Sequence, residues 1–305
     1  MNAKNGRPKR RGAGSLARSV VAKVTKHGVS RDLVGKIENI KIVSVGTERN
    51  TRGCLKRFIQ WLRVEQHKDW SALNESDVNA YLQMKAEKVK QATLDGDRLA
   101  LQRVVTFEIP FVVSKTPTLI VPRAYLAIHI AALCKFADDE LSLSIAIAAD
   151  AGLRAKELLT LAPTDVLKED RRLWHAARFT GRTEPFEIFC VGGKGGLDRY
   201  VAISKNLANE IHQRRRDSPR EFTDREVKGE QYFNLLGGQL LSHYFSQHSL
   251  SLLGFSTGFH GLRHHFAQRR MFELQATGLT WDEALNVLDN ELGHFSLTNT
   301  RKYLR

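Results

Sequence analysis

Residues 292 to 303 read Leu292-Gly293-His294-Phe295-Ser296-Leu297-Thr298-Asn299-Thr300-Arg301-Lys302-Tyr303. A glycine and a histidine are followed, nine residues after the histidine, by a tyrosine. A tyrosine held beside a histidine is a candidate nucleophile. A tyrosine in such a stretch is more often a half-buried anchor whose hydroxyl meets water. The stretch alone leaves both interpretations open, and the motifs that precede it decide between them.

Three further motifs precede this stretch, and each contains a basic residue. They read Ala151-Gly152-Leu153-Arg154-Ala155-Lys156-Glu157-Leu158, Gly193-Lys194-Gly195 and His260-Gly261-Leu262-Arg263-His264. A lone arginine in a basic protein is most often a surface charge or half of an ion pair. Arg154, however, follows an apolar run and Arg263 lies inside one, and a partly buried arginine needs an anion. Because two guanidiniums offer paired donors that match phosphate oxygens, both are predicted phosphate clamps.

The first two motifs supply two more candidates. Glu157 lies three residues after Arg154, on the same face of a helix that begins there, where it can orient that guanidinium or a neighbouring histidine. The alternative is a surface ion pair. Lys194 lies at the tip of a glycine-rich hairpin, where a mobile ammonium can give a proton to a departing oxygen. Without the other motifs, a solvated turn lysine would be the preferred interpretation.

The histidines raise the question of a metal, because His260 and His264 are four residues apart and can share one ion. No glutamate lies between them in a zinc-protease arrangement and no cysteine is near, so metal is the weaker interpretation. Tyr303 needs activation, since an unperturbed phenol has a pKa of about 10. A cluster of arginines and histidines favours the phenolate and lowers that cost.

With these four motifs in order, the chain resembles the tyrosine recombinases, the phage-integrase family of site-specific DNA recombinases. The resemblance covers roughly residues 45 to 303 and is strong from Arg123 onward. It implies a mainly α fold with a small β-ribbon or sheet, made of a helical core-binding domain and a mixed α/β catalytic domain. The family's catalytic positions fall on Arg154, Lys194, His260, Arg263, His294 and Tyr303.

The resemblance also implies a role for each residue. Tyr303 is the nucleophile that forms a 3′-phosphotyrosine, and Lys194 is the general acid. His260 and His294 bond the scissile phosphate or help to remove the tyrosine proton, while His264 is structural. The family has an acidic residue at the position of Glu157. It usually has a second lysine in the hairpin where this chain has Leu197, so the DNA contact of that loop is expected to differ.

Composition agrees with a polyanionic partner. The 305 residues carry a formal charge of +14 and a pI near 9.8, which favours nucleic acid over an anionic membrane. The apolar run from Leu141 to Leu153 is interrupted by polar residues and too short to span a bilayer, and the basic N-terminus has no signal-peptide core. A cytoplasmic protein is therefore expected, and the resemblance implies one that is encoded by a bacterium or phage and associated with the nucleoid. The three cysteines have spacings that indicate neither disulfides nor zinc.

The chain divides into four predicted segments. Residues 1–26 are basic, with no acidic residue, and are expected to form a disordered arm. Residues 27–113 form the helical domain, in which Leu55, Phe58, Ile59 and Leu62 recur at helical spacing. Residues 114–122 form a proline-punctuated linker, and residues 123–305 the catalytic domain.

Three features of the catalytic domain are predicted from local pattern. One β-ribbon, with strands on either side of Gly192-Gly193-Lys194-Gly195-Gly196-Leu197-Asp198, projects from a mostly helical body. A basic helix through Lys205 to Arg216 follows, and then a polar stretch to Gly229. A capped helix begins at Thr280 in the long stretch between Arg263 and His294.

The expected function is site-specific recombination or integration of double-stranded DNA without metal, ATP or other cofactor. Recombination cuts strands at two sites, so the resemblance implies a homotetramer on paired sites, a monomer in free solution and accessory DNA-bending proteins. The alternative is a non-cleaving regulator or architectural protein on the same scaffold, although such a protein would be free to lose Tyr303 or Lys194. An RNA-binding module would need stacking aromatics on an open sheet, and the sequence predicts only one short ribbon.

Overall fold

The computed structural model describes residues 11–29, 34, 40–119, 121–193 and 195–305. Lys194 and the first ten residues of the predicted arm lie outside the described residues, as does part of the segment between residues 30 and 39. The chain forms two compact units, Met1–Leu119 and Ile120–Arg305. The division lies within the segment that the sequence predicts as the linker.

The first unit is helical. Its helices are α1 (Ala13–Ala22), α2 (Val45–Glu65), α3 (Glu75–Ala86) and α4 (Gln91–Gln102), with a 3-10 turn at Trp70–Ala72. The apolar stripe predicted on α2 is confirmed, since Leu55, Phe58, Ile59 and Leu62 are all buried. Helix α3 begins with a capping box in which Asn74 and Asp77 bond each other's backbone N–H.

Helix α1 corrects part of the prediction for residues 1–26. Instead of being disordered, Ala13–Ala22 is a helix, and its residues Ala17 and Val21 are buried against the core of the first unit. Leu16, Val20 and Val24 pack around them, so the segment has an apolar stripe at helical spacing among its basic residues. Small residues let this short helix approach closely, which explains how a Gly, Ser and Ala background can contribute to a core.

The second unit has seven helices among its described residues and ends in a 3-10 turn. The helices are α5 (Ala127–Lys135), α6 (Asp139–Ala151), α7 (Lys205–Gln213), α8 (Gly238–Leu253), α9 (His260–Ala276), α10 (Trp281–Leu292) and α11 (Leu297–Arg301), and the turn is Lys302–Leu304. Helix α6 is apolar because it is buried in the core, not because it meets lipid. No helix in the described ranges is long and apolar enough to cross a membrane. The helix predicted at Thr280 is confirmed, with a Thr280–Glu283 capping box.

A three-stranded antiparallel sheet lies in the second unit, in the order β1 (Leu161–Pro163), β2 (Phe186–Gly192), β3 (Asp198–Ser204). The predicted glycine-rich hairpin is confirmed, since β2 and β3 pair with Gly192 opposite Asp198. In β3, Arg199, Val201 and Ile203 lie on one face at a period of two and are buried, and Ala202 and Ser204 on the other face are buried too. An arginine therefore takes an inward position that is otherwise apolar.

A second hairpin corrects the prediction for residues 205–229. Helix α7 ends at Gln213, and strands β4 (Arg215–Asp224) and β5 (Val227–Phe233) pair where a longer helix and a polar loop were expected. The turn is made by Arg225 and Glu226, both at positive φ (48° and 69°), so no glycine marks it. Most of β4 is exposed and charged, which hides the alternation that identifies a half-buried strand.

Candidate active site

Two left-handed helix ends and the final 3-10 turn position the residues of the motifs. Gly152 (φ 65°) ends α6 just before Arg154, and a Cβ there would overlap the ring of Phe266 on α9. Gly293 (φ 64°) ends α10 just before His294. Helix α9 begins at His260 and carries Arg263 and His264 inward, while Tyr303 lies in the final 3-10 turn. Glycine fits both helix ends because its positive φ costs no steric strain.

Glu157 lies at the centre of the site and is 1% exposed. Its Oε1 accepts hydrogen bonds from Arg154 Nη1 at 2.7 Å and Arg199 Nη1 at 2.8 Å. Its Oε2 accepts from the Arg154 backbone N–H at 2.8 Å and Arg199 Nη2 at 3.0 Å. The Arg154–Glu157 pair is thus part of a buried network and not a surface ion pair. Burial opposes ionisation, but Arg199 and Arg154 outweigh it and hold the pKa of Glu157 well below its usual range.

Arg199 is a site residue that the motif analysis missed. It is fully buried in β3, makes the two-pronged bond to Glu157, and donates from Nε to the carbonyl of Glu291 at 3.1 Å. Arg199 therefore connects the β2–β3 hairpin to the C-terminal end of α10, which directly precedes Gly293 and His294. The signal that identifies it is the period of two in β3, which places an arginine on the same face as Val201 and Ile203.

Arg263 is fully buried and bonds mainly to backbone. It donates to the carbonyls of Gly152 and Leu292, and its Nη2 lies 3.2 Å from His294 Nε2. Burial and the nearby Arg154 lower the pKa of Arg263 to about 9, so it stays cationic at neutral pH. Three guanidiniums therefore surround the single carboxylate of Glu157, with Arg263 Nη1 at 3.7 Å from it. This arrangement leaves two positive charges in excess and favours an anion.

Tyr303 lies beside this positive centre and is 8% exposed. Its hydroxyl is 2.7 Å from His260 Nε2. Its ring contacts the rings of His264 and His294, with centroids 4.6 Å and 5.0 Å away, and the guanidinium of Arg263 lies 5.6 Å from its centre. The hydroxyl, a histidine ring nitrogen and the excess positive charge thus lie together within one chain.

The three histidines around Tyr303 have lowered pKa values. Burial and Arg263 lower the pKa of His260 to about 3. Burial and Arg123 lower that of His264 to about 4, and burial with Arg263 lowers that of His294 further. All three are therefore neutral at neutral pH. In the tautomer with its lone pair on Nε2, a neutral His260 accepts the hydroxyl hydrogen of Tyr303; in the other tautomer it donates to that oxygen.

Acidification tests this electrostatic description. At about pH 5 we expect His260 to remain unprotonated, where a histidine with the ordinary pKa of about 6.5 would be mostly charged. Because the folded pKa lies below the unfolded one, the unfolded chain binds more protons, and the fold loses stability as the pH falls from about 6.5 toward 3. Histidine proton shifts measured against pH, in the wild type and in His260→Gln, check this. A His260 signal that titrates near 6.5 would contradict it.

Removing the charge of Glu157 tests the network. Glu157→Gln leaves Arg199 buried without a counterion, and we expect it to destabilise the protein by about 3–5 kcal/mol. The matched control is Glu187→Gln, which removes a half-exposed carboxylate that bonds Lys205 at 2.7 Å, with an expected cost of about 0–1 kcal/mol. Urea unfolding of the full chain measures both. Equal midpoints for the two variants would show that the Glu157 network contributes no more than a surface pair.

The structure does not describe one predicted site residue, and it places a further histidine of α9 outside this cluster. Lys194 lies outside the described residues; its neighbour Gly193 is close to Glu157, and a Cβ there would be 3.6 Å from Oε1. His265 points away, with its Nδ1 2.8 Å from the carbonyl of Tyr125. Within the described part of the chain, no three His, Cys, Asp or Glu side chains are grouped to hold a metal.

Comparison with known proteins gives matches among solved structures only. No protein-family model matches the chain, and no curated protein sequence does. The XerH site-specific recombinase in its post-cleavage complex with difH DNA superposes with a TM-score of 0.57 at 16% identity, over 96% of this chain and 90% of that one. A lambda integrase tetramer on a Holliday junction gives 0.57 at 14% identity, over 95% and 76%.

The Tn1549 transposon integrase in complex with circular intermediate DNA gives a TM-score of 0.53 at 15% identity, over 95% of this chain and 94% of that one. At such identities, structural likeness establishes the fold. The chain therefore has the tyrosine recombinase fold, and the predicted fold class, mainly helical with small antiparallel sheets, is confirmed.

Proposed function

We propose that this chain uses the tyrosine recombinase fold to cleave and rejoin DNA at specific sites, as a recombinase or integrase. One observation carries the proposal: the hydroxyl of Tyr303 lies 2.7 Å from a neutral His260, beside a buried centre with two positive charges in excess. A nucleophile, a proton acceptor and an anion site are what phosphodiester transfer to an amino-acid side chain requires.

Each step follows from these residues. The Tyr303 oxygen attacks the phosphorus while His260 Nε2 takes its proton. Arg154 and Arg263 bond the non-bridging oxygens, whose charge grows in the transition state. The bond to the 5′ oxygen breaks, and Lys194, the proposed general acid, supplies the proton to that oxygen. The product is a 3′-phosphotyrosine and a free 5′-hydroxyl, and attack by another 5′-hydroxyl reverses the sequence without ATP or metal.

A basic groove in the first unit also supports the proposal of DNA binding. A groove of about 460 Å³ lies between α2 and α4, and Arg49, Arg57 and Arg103 are among its lining residues. Together with the formal charge of +14, these arginines favour binding of a phosphate backbone, and that binding is expected to weaken steeply with salt. XerH and lambda integrase were solved on DNA, lambda integrase as a tetramer. We propose the same partner here, with a monomer in solution and a homotetramer on paired sites.

The test is incubation of the full-length protein with nicked duplexes of randomised sequence. The nick lets a short cleaved fragment diffuse away, so that religation fails and a covalent complex accumulates. Peptide mapping of complexes that survive detergent is expected to place the DNA on Tyr303, and sequencing of the trapped DNA gives the preferred site. Tight, salt-sensitive binding with no covalent complex would instead identify a non-cleaving DNA-binding protein on this fold.

A further inference from the structure

A histidine, a threonine and an aspartate form a chain of hydrogen bonds behind the candidate site. His294 Nδ1 lies 2.8 Å from Thr300 Oγ1, and Thr300 Oγ1 lies 2.6 Å from Asp289 Oδ1. On the other edge of the ring, Nε2 lies 3.2 Å from Arg263 Nη2. Thr300 is fully buried and Asp289 nearly so. The mechanism above uses neither of them.

The two ends of this chain fix the direction of every hydrogen bond in it. Arginine has donors and no acceptor, so Arg263 Nη2 donates and His294 Nε2 carries a lone pair. At the other end, Asp289 Oδ1 already accepts from the backbone N–H of Ser296 at 3.1 Å. An ionised carboxylate only accepts, so Thr300 gives its hydroxyl hydrogen to Asp289. The Thr300 oxygen then accepts from His294 Nδ1.

We propose that Thr300 and Asp289 are positioning residues that hold His294 as the tautomer with its hydrogen on Nδ1. The Nε2 lone pair then faces Arg263 and keeps that guanidinium oriented. A buried aspartate holds other catalytic histidines in one tautomer and orientation in the same way. The tautomer follows from geometry alone, whereas its consequence for strand cleavage rests on the proposed function.

Thr300 is the better residue to change. Asp289 also bonds the backbone of Ser296 and so helps to begin α11, which makes any Asp289 variant disturb the turn itself. Thr300→Val keeps the shape and removes only the hydroxyl. Thr300→Ser restores the hydroxyl, and Thr298→Val makes the same substitution at an exposed position of the same helix.

Nitrogen NMR of the DNA-free, full-length protein reads the tautomer directly. With ¹⁵N-labelled histidine, protonated and unprotonated ring nitrogens give well separated shifts, and the signals missing in His294→Gln belong to His294. We expect Nδ1 to be protonated in the wild type, in Thr300→Ser and in Thr298→Val, and a mixture of tautomers in Thr300→Val. A wild-type His294 protonated at Nε2 overturns the proposal, even if Thr300→Val does not fold, and so does an unchanged tautomer in folded Thr300→Val.

A second readout connects the tautomer to cleavage. On nicked DNA that traps the covalent complex, Thr300→Val should form this complex at least about tenfold more slowly than the wild type. Loss of the hydrogen-bond partner behind a functional histidine typically lowers activity by about 10- to 100-fold. The DNA affinity of this variant should not change. An unchanged rate with a changed tautomer would overturn the positioning role. If no covalent complex forms with the wild type, the proposed function fails while the NMR result still decides the tautomer.

Discussion

Tyr303→Phe is expected to form no covalent complex with nicked DNA while it binds DNA as the wild type does. The substitution removes one oxygen and keeps the ring, whose contacts with His264, His294 and Arg263 hold the final turn against α9. The anion site formed by Arg154 and Arg263 is unchanged, so phosphate binding persists. Detergent-stable complexes measure the first property and filter binding the second.

Tyr244→Phe is the control for this result. Tyr244 is 45% exposed on α8, so its variant should form the covalent complex at the wild-type rate. A covalent complex that persists in Tyr303→Phe and disappears in another tyrosine variant would assign the nucleophile elsewhere. Loss of DNA binding together with the covalent complex would indicate that the hydroxyl supports the fold and would leave its role as nucleophile unsupported.

The sequence predicts the members of the site better than the way in which they are held. Arg154 and His294 each lie just after a glycine that ends a helix, and α9 places His260 and Arg263 one turn apart. Local geometry therefore sets the direction of these side chains, and the packing of α6 and α10 against α9 brings them together. The burial of Glu157 could not be predicted from the sequence. It depends on an ion pair with Arg199, which lies 42 residues later in a strand. Motif spacing along a helix contains no information about that pairing.

The other differences between the predicted and the observed secondary structure also arise from long-range contacts. Helix α1 depends on the core of the first unit, which offers a surface to Ala17 and Val21. Hairpin β4–β5 depends on a turn without glycine whose Asp224 Oδ1 accepts from the Gln239 backbone N–H at the start of α8, 2.9 Å away. In both cases local propensity is weak and tertiary packing decides the structure.

Buried arginines account for most of the polar residues around the candidate site, because each guanidinium needs hydrogen-bond acceptors. Removing arginines from water is costly unless every donor has a partner. Arg199 meets that condition through Glu157 and the Glu291 carbonyl, whereas Arg263 pairs both terminal nitrogens with main-chain carbonyls and leaves its Nε without a partner. Arg270 and Glu291 form a second buried pair, with Nη2 and Oε1 2.8 Å apart. The positive centre is therefore preformed, and under the proposed function the chemical step needs little reorganisation.

Arg154→Ala should slow formation of the covalent complex by about 100- to 1,000-fold, which is the usual effect of removing one donor to a developing negative charge. Among the three guanidiniums around Glu157, Arg199 and Arg263 are fully buried, whereas the Arg154 side chain is 27% exposed. Arg154 is thus the most accessible of the three to a phosphate at the surface of the site. Its removal leaves Glu157 paired with Arg199, so the fold should persist.

Arg301→Ala separates this effect from simple loss of charge. Arg301 is near Tyr303 in the chain, its side chain is 60% exposed, and its ion pair with Asp282 is long, at 3.8 Å. Each variant removes one positive charge near the nucleophile, so each should weaken DNA binding by less than about tenfold, because a single phosphate contact is a small part of the electrostatic affinity. Only Arg154→Ala should slow the chemical step on prebound DNA. Equal rates for the two variants in that single-turnover measurement would remove Arg154 from the anion site and leave Arg263 as its only clamp.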